Sequence, residues 1–179
     1  PLAMFCHSLC LRTKVSLTLI VGALALSVCS TTAPPSCSPM SGQGAAEKAS
    51  TEAIVQRNKQ NATAFYNQFF NDHDLSAADR YISDTTYIQH NPHVPNGREP
   101  FKNTFAQIFQ QNPQRHSKIV RVIGDGDLVA LHVHSTMNAD DRGSAIVDIF
   151  RFDVNGKIVE HWDVIQPIPE KTASGNGLF

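Results

Sequence analysis

Cysteine is absent from most of this 179-residue chain, because its four cysteines lie at positions 6, 10, 29 and 37. The remainder therefore has no disulfide, no thiol nucleophile and no cysteine ligand for a metal. An excess of one charge is also missing, since 15 Lys and Arg residues stand against 16 Asp and Glu residues. Without a basic surplus nothing in the composition favours nucleic acid, and we expect small molecules or other proteins as partners.

Long hydrophobic runs are rare as well, and the one present lies near the start of the chain. Residues 15–28 form an apolar run that follows Arg12 and Lys14. Its length suits the central region of a secretory signal peptide better than a membrane span. Cys29 comes directly afterwards, and the letters LSVC resemble a bacterial lipoprotein box. We therefore expect export, with a lipid anchor at Cys29 as the contact with a membrane.

The first part of the chain has other interpretations. Cleavage near Ser30 or Ala33 would release a freely secreted protein instead of an envelope lipoprotein, and an uncleaved anchor is a third alternative. Ser, Thr, Pro and Gly dominate the next stretch, which is typical of a flexible tether. The expected organisation is a signal peptide at 1–29, a linker at 30–45 and one folded domain at 46–179.

The domain begins with helical periodicity and ends with strand alternation. Apolar residues recur every three or four positions through residues 47–71 and 99–111, and Asp74 is placed to cap a short helix between them. An early run, TTYIQH, alternates like a strand, and four later runs do the same: SKIVRVI, LVALHVHSTM, SAIVDIFRF and KIVEHWDVI. This order predicts an α+β domain, in which three N-terminal helices pack on one face of a curved, mainly antiparallel sheet.

Two histidines and an aspartate interrupt the apolar character of these strands. His132 and His134 share one face of their strand, and Asp148 lies on the next one. If the connecting loop pairs Asn138 with Ser144, His134 lies directly opposite Asp148, close enough for a hydrogen bond. The sequence therefore predicts a His134–Asp148 pair.

The last hairpin leaves two registers open. The Asn-Gly pair at 155–156 is a strong hairpin signal. A two-residue turn there would put Asp148 opposite Asp163, with His161 next to them. A three-residue turn with a glycine bulge would reverse the parity and put Trp162 opposite Asp148.

The surroundings of Asp148 favour proton-transfer chemistry. Its apolar neighbours would desolvate the carboxyl group, which favours the protonated form, whereas a facing His134 would favour the ionised form. Such a pair can remove a proton next to a carbonyl while donors, here Gln89 and His90, hold the enolate oxygen. A purely structural His–Asp hydrogen bond explains the same pattern about equally well.

A metal site is the competing interpretation. Gly126 followed by His132 and His134 matches the opening of a cupin motif, but the glutamate expected next is missing. His90 and His93 would complete a three-histidine site only if their turn folds over the sheet. We therefore expect no metal and no cofactor.

Several motifs carry a family resemblance: YIQHNP, REPFKNTF, DLVALHVHS and DIFRFDVNGKIVEHWDVIQ. They resemble the SnoaL-like proteins, the polyketide-cyclase and aldol-condensation relatives within the superfamily of nuclear-transport-factor-2-like and ketosteroid-isomerase-type folds. The resemblance covers about residues 54–179. It implies a cone of helices over a bent sheet, a pocket, a dimer and cofactor-free acid–base chemistry. It also implies a pocket aspartate as acid/base with a histidine on the preceding strand, and Asp148 and His134 occupy those places.

The sequence thus predicts an exported cone with a pocket for a small apolar or carbonyl-containing molecule, and with Asp148 and His134 as the catalytic pair. A homodimer is expected and nucleic acid is not. Further pocket residues are predicted to be His90, Gln89, His132, His161, Trp162, Tyr66 and Phe150, although Tyr66 and Trp162 are more readily explained as core residues. A ligand carrier of the cell envelope and a histidine-bound metal enzyme are the alternatives.

Overall fold

The computed structural model describes residues 41–179, with side chains from Glu47 onward. The predicted signal peptide and the linker up to residue 40 lie outside the described residues. The first helix begins at Ser41, inside the stretch that the sequence assigns to the linker. Within 41–179, no helix combines the length and the apolar character that a membrane crossing requires.

The helices pack as the apolar periodicity predicts, with one irregularity. The helical elements are α1 (Ser41–Tyr66), a π-helical turn (Asn67–Asn71), α2 (Ala77–Tyr81) and α3 (Arg98–Gln111). The wider π turn continues α1, and the N–H of Asp72 donates to the carbonyl of Asn67. This turn brings two consecutive residues, Phe69 and Phe70, into the core. π turns of this kind are frequent at functional sites.

The strands form one mixed sheet in the order β1-β5-β4-β3-β2. Its members are β1 (Ile88–Gln89), β2 (His116–Asp125), β3 (Leu128–Thr136), β4 (Ser144–Phe152) and β5 (Ile158–Pro167). The four long strands are antiparallel neighbours, whereas β1 pairs with β5 in parallel. The predicted α+β architecture is confirmed, with the early strand reduced to two residues.

The core lies between the helices and one face of the sheet. Phe69 packs against Phe65 and Phe101 with ring centroids 5.3 and 4.8 Å apart. Phe65 also meets Phe150 of β4 edge to face, at 5.9 Å. Alternate residues of β4 are buried, so Asp148 shares the core face with Phe150 and Ile146, as predicted.

The predicted register between β3 and β4 is wrong. Ser144 pairs with Ser135 instead of Asn138, which shifts the ladder by three residues. Because an odd shift turns side chains to the other face, His134 pairs with Ala145 and Leu131 lies opposite Asp148. His134 is therefore not the partner of Asp148.

The loop between these strands explains the shift. Asp141 accepts hydrogen bonds from the backbone N–H groups of Met137 and Gly143, both at 2.8 Å. Gly143 has φ 79°, and a Cβ there would lie 2.2 Å from the carbonyl oxygen of Ser135. These contacts stabilise a wider loop than the short connection that the sequence suggests.

The last hairpin adopts the first of the two predicted registers. Asp148 lies opposite Asp163, and Trp162 lies opposite Ile149. His161 pairs with Phe150, so its ring shares the core face with Asp148. The ladder shifts by one residue beyond Arg151, near the turn itself.

Candidate active site

A mostly apolar cavity of about 200 Å³ lies between the helices and the core face of the sheet. We call it the cavity throughout. Its apolar wall includes Phe70, Val94, Phe101, Phe105, Ile146 and Phe150, and its polar groups include Tyr66, Tyr87, Gln89, Arg115, Asp148 and His161. An apolar wall with a few convergent polar groups is typical of a small-molecule site.

Asp148 is buried at the wall of this cavity, with only 5% of its surface exposed. The hydroxyl of Tyr66, at the end of α1, donates to Asp148 Oδ2 at 2.9 Å. His161 Nε2, from the adjacent strand β5, lies 2.9 Å from Asp148 Oδ1. Both oxygens of the carboxyl group therefore have a fixed partner.

Gln89 determines the tautomer of His161. The backbone N–H of Asn91 donates to Gln89 Oε1 at 3.0 Å, which fixes this atom as the amide oxygen. His161 Nδ1 lies 2.8 Å from the same oxygen and must therefore carry a proton. The parallel pairing of Gln89 with His161 between β1 and β5 creates this contact.

This assignment leaves one proton between Asp148 and His161. With Nδ1 protonated, a neutral His161 offers only a lone pair at Nε2, and an ionised Asp148 also offers only lone pairs. A hydrogen bond at 2.9 Å therefore requires either an imidazolium beside a carboxylate or an imidazole beside a carboxylic acid. In both forms the pair holds one transferable proton and carries no net charge.

Two tyrosines complete the polar side of the cavity. Burial, followed by the negative charge of Asp148, raises the pKa of Tyr66 well above its usual value, so the phenol stays protonated as a donor. Burial likewise raises the pKa of Tyr87, with Asp148 as the next cause. The Tyr87 oxygen accepts a hydrogen bond from Gln89 Nε2 at 3.2 Å, which leaves its own proton for another acceptor.

A third carboxylate stands beside the pair. Asp163 Oδ2 accepts a hydrogen bond from Asn91 Nδ2 at 2.6 Å. Among the described residues, ligand atoms of Asp148, His161 and Asp163 lie within 4.8 Å of one another. Two carboxylates and an imidazole are a donor set that zinc, manganese or iron can use. Metal binding would require the Asp148–His161 or the Gln89–His161 hydrogen bond to open.

The structure brings five predicted pocket residues to the cavity: Asp148, Gln89, His161, Tyr66 and Phe150. Their roles in binding or catalysis stay predictions. His161, and not His134, is the histidine that contacts Asp148.

The predicted positions of His132 and His134 at the pocket are wrong. Both point to the outer face of the sheet, opposite to the side of Val133, which is buried. His132 Nδ1 lies 2.9 Å from Arg121 Nη1, and His134 Nε2 lies 2.8 Å from the carbonyl oxygen of Arg142. Neither histidine lines the cavity.

His90 and Trp162 also lie outside the cavity. His90 Nε2 is 2.8 Å from Glu160 Oε1, and its ring stacks on Trp162 with centroids 4.8 Å apart. The Arg151 guanidinium carbon also lies over the Trp162 ring, 5.5 Å from its centroid. As placed, His90 cannot hold an enolate oxygen inside the cavity.

Sequence reasoning missed Arg115, Asn91 and Asp163 as cavity residues. A signal was present for Asp163, because the two-residue turn predicted it opposite Asp148. Arg115 lies in the loop before β2, where strand alternation gives no orientation, and Asn91 lies in the loop after β1.

Comparison with known proteins agrees with the fold. The sequence profile of the SnoaL-like domain matches residues 62–161. The chain belongs to the SnoaL-like domain family. No curated protein matches the chain.

Solved structures of SnoaL-like proteins share its fold. A SnoaL-like protein of unknown function from Burkholderia thailandensis has 18% identity and a TM-score of 0.55, covering 63% of this chain and 98% of its own. A candidate polyketide cyclase from Acidithiobacillus ferrooxidans has 18% identity and a TM-score of 0.53, covering 62% and 88%. A candidate isomerase of the SnoaL-like family from Agrobacterium tumefaciens has 14% identity and a TM-score of 0.51, covering 64% and 98%.

Proposed function

We propose that this SnoaL-like protein is a cofactor-independent acid–base catalyst that moves a proton on a small carbonyl compound, in an isomerase, cyclase or aldol-type reaction. The observation that carries the proposal is the single proton held between Asp148 and His161. Because Gln89 keeps the other ring proton of His161 on Nδ1, this proton can be only on His161 Nε2 or on Asp148. The names of the Acidithiobacillus and Agrobacterium relatives agree with this class of reaction.

The Asp148 carboxylate acts as the base in this mechanism. In the imidazolium–carboxylate form, it takes a proton from the carbon next to the substrate carbonyl, and the C–H electron pair moves into the enolate. Tyr66 and His161 keep the carboxyl group oriented during the transfer. The protonated Asp148 then returns the proton, either to another carbon or to the product of enolate attack on a second carbonyl.

Tyr87 is the donor for the developing enolate oxygen. Its hydroxyl is buried, and the proton not used by Gln89 is free to point at a ligand in the cavity. Because the pKa of Tyr87 is raised by burial, the group remains a neutral donor across the physiological range. Fixed donors of this kind stabilise an enolate more strongly in an apolar cavity than in water.

Hydrogen–deuterium exchange in small ketones and keto acids tests the proposal without a known product. In D₂O, NMR follows the loss of the proton next to the carbonyl with wild-type protein, Asp148→Asn and Asp127→Asn. Asp127 is an exposed carboxylate paired with Arg151 outside the cavity, which makes it the matched control. The exchange rate of Asp148→Asn should be about 10²- to 10⁴-fold lower than that of wild type. The rate of Asp127→Asn should equal that of wild type.

Two results would contradict the proposal. One is exchange in Asp148→Asn at the wild-type rate. The other is a wild-type protein that binds panel members and exchanges none of them faster than buffer. The second result would instead support a ligand carrier, in which Asp148→Asn alters affinity only.

Metal-assisted chemistry is the second candidate, favoured by the Asp148, His161 and Asp163 cluster. Its test is the metal content of the protein purified without a histidine tag. Near-stoichiometric zinc, iron or manganese that is lost in Asp163→Asn would favour this candidate. Proton exchange that continues after treatment with a chelator would favour the cofactor-independent reaction.

Export and self-association belong to the same proposal. We place the protein in the cell envelope or outside the cell, as a homodimer. Fractionation of cells that express the full chain tests the location, and light scattering of the purified protein tests the assembly. Full-chain protein in the cytoplasmic fraction, or a monomeric mass, would contradict the corresponding part.

A further inference from the structure

Arg115 differs from the other arginines that the structure describes. Each of the others donates a hydrogen bond or forms an ion pair: Arg57, Arg80, Arg98, Arg121, Arg142 and Arg151. Arg115 Nε and Nη1 are buried and have no hydrogen-bond partner among the described residues. The side chain lines the cavity.

A guanidinium with two buried nitrogens and no counter-ion is unfavourable in the free protein. Burial lowers the pKa of Arg115, against the opposing influence of Tyr66 and Asp148. Its visible compensation is the ring of Phe70, whose centroid lies 5.3 Å from the guanidinium carbon. A cation–π contact offsets only part of the desolvation of a charge, and buried charges are ordinarily paired.

The neighbouring carboxyl groups do not supply that pair. Asp148 is bonded to Tyr66 and His161, and with its shared proton the Asp148–His161 pair carries no net charge. Asp163 is bonded to Asn91. No described carboxylate lies within ion-pair distance of Arg115. The positive charge of Arg115 is therefore available to a ligand.

The backbone around Arg115 is fixed before any ligand arrives. Its N–H donates to the carbonyl of Asn112 at 3.0 Å, and its own carbonyl lies 3.3 Å from His73 Nε2. His73 adopts φ 55° and stacks on Phe109 at 4.2 Å, which holds it in this position. Because the anchor is fixed, a ligand group binding Arg115 would require little reordering.

We propose that Arg115 binds a carboxylate of the substrate, so that the cavity selects small carbonyl acids over neutral carbonyl compounds. The planar guanidinium matches a carboxylate through paired N–H donors. The identity of the reacting group rests on the proposed function, but the carboxylate preference does not. A cavity near 200 Å³ is only somewhat larger than the ~150 Å³ cavity that holds benzene. The substrate is therefore about the size of one ring with substituents.

Binding of phenylacetate and of neutral phenylacetamide tests this preference without turnover. Calorimetry measures both affinities for wild-type protein, Arg115→Met and Arg121→Met. Arg121 is the matched control, because it is an exposed arginine on the outer face of β2. Wild type and Arg121→Met should bind the acid at least about ten-fold more tightly than the amide, as expected for a charged hydrogen bond. Arg115→Met should lose this preference and retain the amide.

Thermal unfolding without ligand gives an independent measurement. Replacing an unpaired, partly buried charge by an apolar side chain should raise Tm of Arg115→Met by a few degrees. An arginine with a structural role would instead lower Tm when replaced. Equal affinities for acid and amide in wild type would overturn the inference, and so would undetectable binding of both together with a lower Tm in Arg115→Met.

The two proposals fail separately. An acid preference that depends on Arg115, in a protein that exchanges no proton, would support the carboxylate site and contradict the catalytic proposal. Proton exchange without any acid preference would do the reverse.

Discussion

Asp148 and His161 hold one proton between them, because Asp148 Oδ1 lies 2.9 Å from His161 Nε2 and the other ring nitrogen of His161 is bound to Gln89. The side chain that decides where this proton can be is therefore Gln89, on a two-residue strand at the sheet edge. A neutral amide on an edge strand thus determines the protonation of an acid–base pair, although it makes no hydrogen bond with Asp148.

Replacing Gln89 by Leu should release the tautomer of His161. A neutral ring can then carry its single proton on Nε2 and donate it to an ionised Asp148. The proton of this hydrogen bond then belongs to His161 alone and is no longer shared with Asp148. We expect a loss of activity on the order of ten-fold or more, because the Asp148 carboxylate then has no imidazolium beside it, and burial disfavours a base whose charge is not balanced. Nitrogen-15 NMR of the His161 ring measures the tautomer directly.

The matched control is Gln107→Leu, on the exposed surface of α3. It should change neither the ring nitrogen signals of His161 nor the rate. Ring signals in Gln89→Leu identical to those of wild type would show that the tautomer has another cause.

Removing the hydroxyl of Tyr66 should destabilise the protein. Tyr66→Phe leaves Asp148 Oδ2 without the donor that now lies 2.9 Å away, inside the core. Leaving a buried acceptor without a partner costs about 1–3 kcal/mol. Urea unfolding measures this loss as a fall in the free energy of unfolding.

Tyr81→Phe provides the comparison for Tyr66→Phe. The Tyr81 hydroxyl is only half-buried and accepts a hydrogen bond from Gln68 at 3.2 Å. Its removal should cost less than about 1 kcal/mol. A Tyr66→Phe protein as stable as wild type would mean that Asp148 is already protonated and needs no donor at Oδ2.

Most of the fold is predictable from the sequence because long periodic segments carry it. The helices at α1 and α3 and the four long strands follow directly from their apolar spacing. The π turn is different, since it depends on one extra residue that lets Phe69 and Phe70 both face the core. Local periodicity contains no information about such an insertion.

The candidate site was only partly predictable, because two loops determine which side chains reach it: the β3–β4 loop and the loop before β2. Asp148 was recognised from its apolar neighbours alone. Its partner depended on register, and the Asp141 contacts in the β3–β4 loop shift that register by an odd number of residues. His134 was therefore predicted to be the hydrogen-bond partner of Asp148, which in the structure is His161. Arg115 depends on the orientation of a side chain in a loop, which no repeating pattern describes.

The corrected register predicts different consequences for two histidine substitutions. His161→Ala removes the partner of Asp148 and should reduce the rate by about 10²-fold or more. His134→Ala removes a half-buried ring on the outer face and should leave the rate close to wild type. The measurement is the proton-exchange rate of both variants with one substrate. A large loss in His134→Ala with none in His161→Ala would reinstate the pair suggested by the sequence alone.

The loop that sets the register should give a pH-dependent contribution to stability. The backbone N–H of Met137, followed by that of Gly143, lowers the pKa of Asp141. A carboxyl group whose pKa is lower in the folded state stabilises the protein above its unfolded pKa, about 3.9. This contribution is lost as the pH falls through the folded value. Asp141→Ala should therefore be less stable than wild type at neutral pH, with a difference that shrinks below about pH 4.

Urea unfolding from neutral pH downward measures this difference, and Asp140→Ala is its control. Asp140 is the exposed neighbour in the same loop, and only its backbone N–H makes a hydrogen bond, to Asn138 Oδ1. The Asp140→Ala and wild-type curves should stay parallel through the acid range. If the Asp141→Ala curve does so too, the carboxylate of Asp141 is not what stabilises the wide loop, and the odd register shift must come from the packing of β3 against the core.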